Sequence, residues 1–421
     1  MLDSTLPCYS PSIPAPPYSL EPSCGEQRLG QTLRSGRSRL PLTSTIIKKQ
    51  GKITAVLDGQ EVGADTPSYG RQAVIRGTLC FNDSEKNSHV AIKIQGRLEA
   101  TISEGGSKTI QLVNDTYTLW KSETAGGSTC PAQIAFACQL PSHFRDGREE
   151  RPLPPSFHTF VPGFYIHSQY KILVEVIRVR HRVGLWPTTK KLVILFNYFP
   201  RTRPSGPIMD IPCFLSSIKT LPEEWYQSTS ILKTSRKGSF EPLYCHLFIP
   251  SVRVYSLTDN IPFHIQLNGP LTSLREFFPP TSLDRITSAG SSLSSAQSES
   301  LVAPDPKSCV RIQLLRQAVV QMRGQKVWRN SEIGNGVAYP LPPPVVYEST
   351  DRREECLDWT GHVRCNDGVA VGGLHTDLVQ VKDFISLTLI PPDLRTSAFP
   401  ELRITVPVRI VSDAYTDFGT T

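Results

Sequence analysis

Apolar and polar side chains alternate along many segments of this chain, and this period of two restricts its fold more than any other feature. In residues 89–103, Val, Ile, Leu or Ala occupies most even-numbered positions, and polar side chains occupy most odd-numbered ones. Because successive side chains of a β-strand point to opposite faces, the pattern predicts a strand with one buried face. The 36 prolines among 421 residues disfavour long helices. The sequence therefore predicts an all-β protein.

The alternation recurs along the chain in segments bounded by Gly, Pro, Ser or Asn. The further predicted strands are residues 74–81, 117–120, 134–140, 171–183, 191–198, 244–249, 251–257, 261–267, 310–320 and 402–410. Short strands separated by turn residues are typical of antiparallel sandwiches and barrels. In residues 171–183 the apolar register slips after Val176, which predicts a β-bulge or a change of sheet. Pro262 and Pro407 lie within strands and predict edge strands or bulges there.

Two series of strands predict two tandem β-sandwich domains. The first sixty-odd residues are proline-rich and then basic, with too little periodic apolar content for a core. The predicted segments are a mostly disordered, partly polyproline-II tail at 1–67, a first sandwich at 68–203, an interdomain linker at 204–240, a second sandwich at 241–413 and a short tail at 414–421. A Ser-rich loop at 281–306 is either a phosphorylation target or an inert insertion.

The sequence predicts a cytoplasmic protein without a cofactor. Its longest apolar run, residues 192–196, is far shorter than a membrane-spanning helix, and its first residues have the character of neither an export signal nor an import signal. The ten cysteines lie singly, without a CxxC pair or the Cys/His spacing of zinc sites. We therefore expect reduced thiols and no bound metal.

Sequence motifs of the common enzyme classes are absent. GxSxG, GxxxxGK, HExxH and GxGxxG do not occur. Two neighbouring pairs, Cys245 with His246 and His362 with Cys365, leave open a hydrolase that uses a cysteine nucleophile on a β-scaffold. Such a nucleophile needs a thiolate with a low pKa. We expect a non-enzymatic protein, with this hydrolase as an alternative.

The net charge of +7 is concentrated in one window. Residues 171–203 contain eight Lys and Arg and a single acid, Glu175. The candidates for binding an anionic partner are Arg178, Arg180, Arg182, Lys190 and Lys191. Their partners would be acidic or phosphorylated protein segments, or anionic lipid headgroups. Nucleic acid is not expected, because the window has neither interleaved aromatic side chains nor a recognition helix. A solvated strand face is the alternative.

Two short motifs in the N-terminal tail place a proline two residues before a tyrosine. The candidate residues for binding a WW domain are Leu6, Pro7, Tyr9, Pro16, Pro17 and Tyr18. A polyproline-II backbone has three residues per turn and brings such a proline and tyrosine to one face, which the aromatic groove of a WW domain binds. Neither motif has the full PPxY form. An ordinary Pro/Tyr-rich tail is therefore the alternative.

Several of the predicted strands resemble the arrestin family. Residues 153–157 (LPPSF), followed by residues 170–176 (YKILVEV), resemble a block of arrestin N-terminal domains. Residues 261–267 (IPFHIQL) with the preceding Val254 and Tyr255 resemble the opening of an arrestin C-terminal domain, and residues 402–410 (LRITVPVRI) resemble its closing strand. Residues 316–336 (RQAVVQMRGQKVWRNSEIGNG) are similar to fungal members of the α-arrestin branch. The resemblance covers roughly residues 68–412.

The resemblance implies two immunoglobulin-like β-sandwiches that act as a trafficking adaptor. Such an adaptor recognises cytosolic tails of membrane transporters or receptors and recruits a WW-containing HECT-type ubiquitin ligase for ubiquitin-dependent endocytosis. It implies a cytoplasmic protein with peripheral recruitment to the plasma membrane or endosomes. α-Arrestins carry PPxY motifs in a C-terminal tail, whereas ligase recruitment here depends on the N-terminal motifs. An arrestin-fold sorting scaffold without a ligase and a sorting-coat subunit are the alternatives.

Overall fold

Strands dominate the computed structural model of this protein, which describes residues 26–28, 43–123, 129–178, 188–209, 214–234, 240–278, 309–341 and 355–416. Two large curled sheets and several smaller ones divide between two halves of the chain, each with its own hydrophobic core. The predicted all-β fold of two sandwich domains is confirmed.

The first half is a sandwich of a four-stranded and a six-stranded sheet. Its described strands are β1 (Glu26–Arg28), β2 (Thr43–Gln50), β3 (Ile53–Glu61), β4 (Ser68–Tyr69), β5 (Val74–Phe81), β6 (Asn87–Ile102), β7 (Gly106–Lys121), β8 (Gln133–Gln139), β9 (His143–Asp146), β10 (Glu149–Pro152), β11 (Phe157–Val161), β12 (Phe164–Arg178), β13 (Thr188–Tyr198) and β14 (Thr202–Pro204). The smaller sheet has the order β2-β3-β5-β8. The larger has the order β4-β13-β12-β6-β7, with β11 also paired to β12.

The inward faces of these two sheets form the first core. Leu57 and Leu79 project from the smaller sheet, and Ile92 and Ile172 from the larger, and all four are fully buried. β12 pairs with β6 along its length, but the register shifts between Ile177 and Arg178. The residue without an opposite partner is Ser88 of β6, so the irregularity lies on β6 and not within the predicted strand. β12 itself keeps its alternation, with Val176 buried and Ile177 half-buried on the outward face.

A buried tyrosine fixes the segment that crosses the end of the first sandwich. Tyr170 donates a hydrogen bond of 2.6 Å from its hydroxyl to the carbonyl oxygen of Pro154. The Ser156 amide donates to the Tyr198 carbonyl oxygen at 2.8 Å, and the Ser156 hydroxyl accepts a hydrogen bond from the Tyr198 amide at 2.9 Å. Gly96 lies opposite Tyr170, and a Cβ atom there would approach the Tyr170 ring to 2.6 Å. The ring therefore needs glycine at this position.

The second half consists of one ten-stranded sheet that folds back on itself. Its described elements are α1 (Phe214–Thr220), β15 (Trp225–Leu232), β16 (Leu243–Pro250), β17 (Val254–Ser256), β18 (Ile261–Gly269), α2 (Leu271–Phe277), β19 (Val310–Met322), β20 (Gln325–Leu341), β21 (Glu355–Val363), β22 (Leu374–His375), β23 (Val379–Leu389) and β24 (Leu402–Val411). The order is β15-β16-β18-β21-β20-β19-β23-β24-β17, with β22 on β23.

β20 turns the corner of this sheet. Its first part pairs with β19 as far as Asn335, and its last part pairs with β21 from Gly336 onward. The register shifts near Leu314, where Ile333 has no opposite residue. Such a bulge bends a strand. The two layers thereby enclose a second core around Leu247, Ile265 and Ile385.

A buried ion pair lies within the inward face of this second sheet. Arg316 of β19 stands directly opposite Asp383 of β23. The Arg316 Nε and Nη2 atoms donate to the two carboxylate oxygens of Asp383 at 2.7 and 3.1 Å. The side chains are 6% and 0% exposed, so neither charge is solvated by bulk water. Each charge depends on its partner.

Polar and apolar contacts join the two halves. Arg201 binds both carboxylate oxygens of Asp413 through Nε at 3.1 and 3.2 Å, and Nη2 contacts one of them at 2.6 Å. Arg151 Nη2 donates to Asp377 at 2.7 Å. Several apolar side chains of the second half also pack into the first core: Ala318, Val320, Met322, Leu374, Leu378, Val379 and Val381. The halves therefore share an apolar interface with ionic contacts beside it.

The structure differs from the sequence predictions at three places. β2 and β3 precede residue 68 and belong to the first sandwich, and the predicted linker at 204–240 contains α1 and β15. Pro262 and Pro407 lie on strands with neighbours on both sides, not on edge strands. Their positions are tolerated because β16 pairs only with residues 264–268 of β18, and β17 pairs only with residues 409–411 of β24. Each proline therefore lies at a position that is paired on one side only, where a residue without an N–H group is tolerated.

Replacing Asp383 tests the buried ion pair. Asp383→Ala removes the carboxylate that two Arg316 nitrogens bind, and we expect the free energy of unfolding to fall by about 3 to 5 kcal/mol. Urea unfolding followed by circular dichroism measures the change. Replacing both partners, Arg316→Met with Asp383→Leu, should recover most of the loss, and Glu123→Ala at the exposed Lys121 pair should not move the midpoint. A midpoint that Asp383→Ala leaves unchanged would contradict this account.

Candidate anion-binding surface

Cations gather at the end of the first sandwich that lies away from the second half. β6 spans the sandwich, and near its last residue, Ile102, the turn residue Gly105 lies beside Gln325 of the second half. The opposite end of β6 lies beside the last residues of β12, the first residues of β13 and the 3₁₀ turn Ser84–Lys86. We call the cations of this region the distal basic surface: Lys52, Lys86, Lys93, Arg178, Lys190 and Lys191.

Glu175 binds two of these cations. Its carboxylate lies 2.6 Å from Lys93 Nζ and 3.3 Å from Lys191 Nζ. The hydrogen bond from Lys93 is the main cause that holds the pKa of Glu175 below its usual range, against the opposing effect of its partial burial. Lys191 lies directly opposite Glu175 on the neighbouring strand. The one acid of the basic window therefore neutralises part of the charge of Lys93 and Lys191.

Asp83 forms the second ionic group of this surface. It pairs with Lys52, whose hydrogen bond is the main cause of a lowered Asp83 pKa, and the charges of Lys86 and Arg178 lower it further. The side chain of Arg178 is half-buried. Its Nε and Nη2 atoms are buried without a hydrogen-bond partner among the described residues. Buried donors without acceptors are costly, and an anionic acceptor would relieve that cost.

Lys190 adds a solvent-exposed charge between these two groups. Lys190 lies on β13, opposite Val176 of β12. It is on the same face of β13 as the buried Leu192 and Ile194, but it lies beyond the core and is exposed. Among the described residues, no carboxylate lies within ion-pair distance of Lys190 or Lys86. The surface therefore carries more positive charge than its two bound acids neutralise.

The structure describes three of the five residues predicted to bind an anionic partner. Arg178, Lys190 and Lys191 lie at neighbouring strand ends, but Arg180 and Arg182 lie outside the described residues. Lys52, Lys86 and Lys93 were missed, because they are distant in sequence. The alternation in β6 gave one signal for Lys93, since it marks that residue as outward-facing. No local signal places Lys52 beside Asp83.

The WW-binding candidates Leu6, Pro7, Tyr9, Pro16, Pro17 and Tyr18 lie outside the described residues, as does the Ser-rich loop. The nearest described segment is β1. It pairs with β14, with Gln27 opposite Arg203. Arg203 in turn donates to the Thr416 hydroxyl at 3.0 Å. β1 therefore lies at the junction of the two halves.

In each Cys/His pair the cysteine is buried, and the histidine of the second pair, His362, is exposed. Cys245 is fully buried, and His246 lies on the other face of β16, where its Nδ1 contacts the Gln227 and Thr229 side chains at 2.9 Å. Burial raises the pKa of Cys245 to about 12 and that of Cys365 to about 12. Both thiols are therefore protonated at neutral pH.

Comparison with known proteins adds no family assignment. No protein-family model matches the chain, and no curated protein matches its sequence. The arrestin resemblance therefore depends on the residues quoted above.

Within the described residues, the two α-helices are seven residues long each, too short to cross a bilayer.

Charge reversal tests the distal basic surface. Arg178→Glu with Lys190→Glu should weaken binding of the full chain to phosphatidylserine-containing vesicles about tenfold at low salt, because each cation near such a surface contributes to attraction. The difference should shrink in 0.5 M NaCl. Arg76→Glu with Lys108→Glu, at exposed positions elsewhere on the first sandwich, is the matched control. Equal loss in both variants, or none in either, would show that this surface has no specific role in vesicle binding.

Alkylation tests the thiols. In the folded protein at pH 7, Cys245 and Cys365 should react with iodoacetamide at least a hundredfold more slowly than in urea, because a pKa near 12 lowers the thiolate fraction about a thousandfold. Peptide mass spectrometry after timed quenching measures each rate. A fast reaction at either residue in the folded state would favour the hydrolase alternative.

Proposed function

We propose that this protein is a non-enzymatic, arrestin-like trafficking adaptor. It links cytosolic tails of membrane transporters or receptors to a WW-containing HECT-type ubiquitin ligase and so promotes their ubiquitin-dependent endocytosis. It acts in the cytoplasm and is recruited peripherally to the plasma membrane or endosomes. No cofactor takes part in this role.

The packing of the family-like residues supports the arrestin resemblance. The Leu-Pro-Pro-Ser-Phe segment and the following tyrosine strand are in direct contact through the hydrogen bond between Tyr170 and Pro154. The segments that resemble the opening and closing of the second domain are also neighbours, since Tyr255 lies opposite Ile410 in the parallel pair of β17 and β24. The segments that resemble the family are thus in contact with each other in the fold. Such contacts are not expected if the short sequence matches arose by chance.

The observation that carries the binding part of the proposal is the surplus positive charge of the distal basic surface. Lys190 is exposed, and two donors of Arg178 have no acceptor among the described residues. Acidic or phosphorylated cargo tails and anionic lipid headgroups both offer the oxygen acceptors that such groups bind through charge-assisted hydrogen bonds. A membrane-proximal cargo tail would bring both kinds of anion to this end of the sandwich.

The ligase part of the proposal depends on the N-terminal motifs and on the place where the tail joins the fold. β1 pairs with β14 beside Arg201, which binds Asp413 of the second half. Tyr18 precedes β1 by eight residues, a distance that an extended chain spans in at most about 30 Å. A ligase bound there would lie near the junction, away from the distal basic surface, so that cargo and ligase could bind together.

Peptide binding tests the ligase part. A fluorescent peptide of residues 1–25 should bind a subset of WW domains with micromolar affinity, the range in which a single short motif falls. Changing Tyr9 and Tyr18 to alanine should abolish binding, and changing either alone should weaken it, because two motifs in one chain raise the apparent affinity. Fluorescence polarisation over a panel of WW domains gives these constants.

A scrambled peptide of the same composition is the control for nonspecific attraction of a Pro/Tyr-rich segment. Equal binding of the native and scrambled peptides, or no binding at all, would remove ligase recruitment through these motifs. The protein would then be an arrestin-fold sorting scaffold without a ligase, and a stable stoichiometric complex on pull-down would identify a coat subunit.

A further inference from the structure

Two histidines face each other on the outer surface of the first sandwich. His158 of β11 lies directly opposite His167 of β12. The buried Ile166 and Ser168 flank His167 on its strand, so the histidines lie on the outward face of the sheet. Their rings meet edge to face, with centroids 5.3 Å apart. We call these two residues the histidine pair.

A two-residue turn fixes the register of the histidine pair. Pro162 and Gly163 connect β11 to β12, and Gly163 has a φ of +75°, which glycine adopts without strain. The Gly163 carbonyl oxygen accepts a hydrogen bond from the Ser103 amide at 3.0 Å. A Cβ atom at Gly163 would clash with the Ser103 hydroxyl. The turn is therefore held against the neighbouring turn between β6 and β7, and the two histidines stay opposite each other.

The separation of the two rings matches that of two imidazoles bound to one metal ion. Zinc binds histidine nitrogens at about 2.0 to 2.1 Å in a tetrahedral arrangement, which places the centroids of two such rings about 5 Å apart. The histidine pair already has nearly this separation. Rotation about the Cβ–Cγ bond of one imidazole, a soft torsion, can direct one nitrogen of each ring toward a common point. The backbone can therefore stay in place.

Both imidazoles have a nitrogen available for a metal ion. Among the described residues, His158 makes no hydrogen bond, and His167 makes one, between its Nδ1 atom and the Tyr165 hydroxyl at 2.9 Å. A hydroxyl can accept a hydrogen bond from Nδ1–H, which leaves the lone pair of Nε2 for a metal ion. Hydrogen bonds of this kind fix the tautomer and the orientation of histidine ligands. Tyr165 therefore orients the His167 ring.

The surroundings of His167 favour its neutral form. Burial is the main cause that lowers the pKa of His167, and the neighbouring charge of His158 lowers it further. Glu99 lies opposite His167 on β6 and raises this pKa, but its carboxylate is paired with Arg97 at 3.1 Å, and the Arg97 charge opposes it. Neutral imidazole is the form that binds metal ions. His167 is therefore available as a ligand at neutral pH.

We infer that the histidine pair is a binding site for a divalent transition metal ion such as Zn²⁺. Imidazole nitrogen suits zinc, copper and nickel, whereas magnesium and calcium prefer oxygen ligands. Among the described residues, no group of three or more His, Cys, Asp and Glu side chains could hold a metal ion. The two histidines therefore bind the ion from one side, and water fills the remaining positions.

This inference goes beyond the proposed adaptor role and does not depend on it. It also differs from the sequence-based expectation of no bound metal, which considered the spacing of cysteines and histidines along the chain. The two histidines are nine residues apart, and only the hairpin of β11 and β12 brings them together.

Residue-specific chemical modification tests the site in the full chain. Diethylpyrocarbonate modifies neutral imidazole nitrogens, and a bound metal ion blocks this reaction. We expect micromolar Zn²⁺ at pH 7.5 to slow the modification of His158 and His167 at least about fivefold relative to EDTA. His362, exposed on β21, is the internal control and should change less than twofold. Mg²⁺ at the same concentration should protect none of these residues. Peptide mass spectrometry gives the rate at each histidine.

Replacing one histidine tests whether the two bind one ion together. In His158→Gln a single imidazole remains, so protection of His167 should require at least about tenfold more Zn²⁺. His167→Gln should have the same effect on His158. His362→Gln removes an exposed histidine of the second half and should leave the required concentration unchanged. Circular dichroism melting curves confirm that each variant folds.

Three outcomes would overturn the inference. Equal modification rates of His158 and His167 in Zn²⁺ and in EDTA would show that the native pair binds no zinc. Equal protection of His362 would show that zinc binds histidines of this chain without preference. Protection of His167 that is unchanged in His158→Gln would show that the two residues do not share an ion. Failure of the WW-domain or vesicle experiments affects none of these results.

Discussion

β6 and β12 pair residue by residue from Ile102, opposite Phe164, to Val90, opposite Val176. Each strand also pairs on its other side, β6 with β7 and β12 with β13, so both are central in the larger sheet. Their inward side chains, such as Ile92 and Ile172, are fully buried in the first core. The burial of these inward side chains contributes the main free energy of this sandwich. The same pair of strands separates the two ends of the sandwich. One end carries the distal basic surface, and the other contacts the second half.

The contacts between the halves set the relation of the two sandwiches. Arg201 and Asp413 form a bidentate pair in which both side chains are mostly buried, and Arg151 binds Asp377 at a second point. Apolar residues such as Met322 extend the first core into the second half. Because these contacts differ in kind and position, rotation about any one of them would break another. The two halves are therefore held together at several separate points.

Much of the fold could be predicted from period-two alternation, because burial of one sheet face imposes that pattern. The strand predicted at 74–81 is β5. The apolar slip after Val176 does not mark a bulge of β12, because the unpaired residue of that ladder is Ser88 on β6. β2 and β3 were missed because they follow a proline-rich segment, and β3 exposes Asp58 and Gly59 where alternation would place a buried residue. The site was harder to predict. Lys52 forms an ion pair with Asp83, and Glu175 forms ion pairs with Lys93 and Lys191. No local sequence pattern indicates these contacts.

The sequence by itself determined the all-β class, the two series of strands and the outward positions of cations such as Arg403, because each follows from local periodicity. Only the tertiary structure decided which strands are neighbours, and hence that Asp383 faces Arg316 in a core while Arg311 and Arg403 flank Thr388 outside it. The physical reason is that strand pairing joins residues far apart in the chain. Alternation specifies the face on which a side chain lies, but only the register of neighbouring strands specifies its partner.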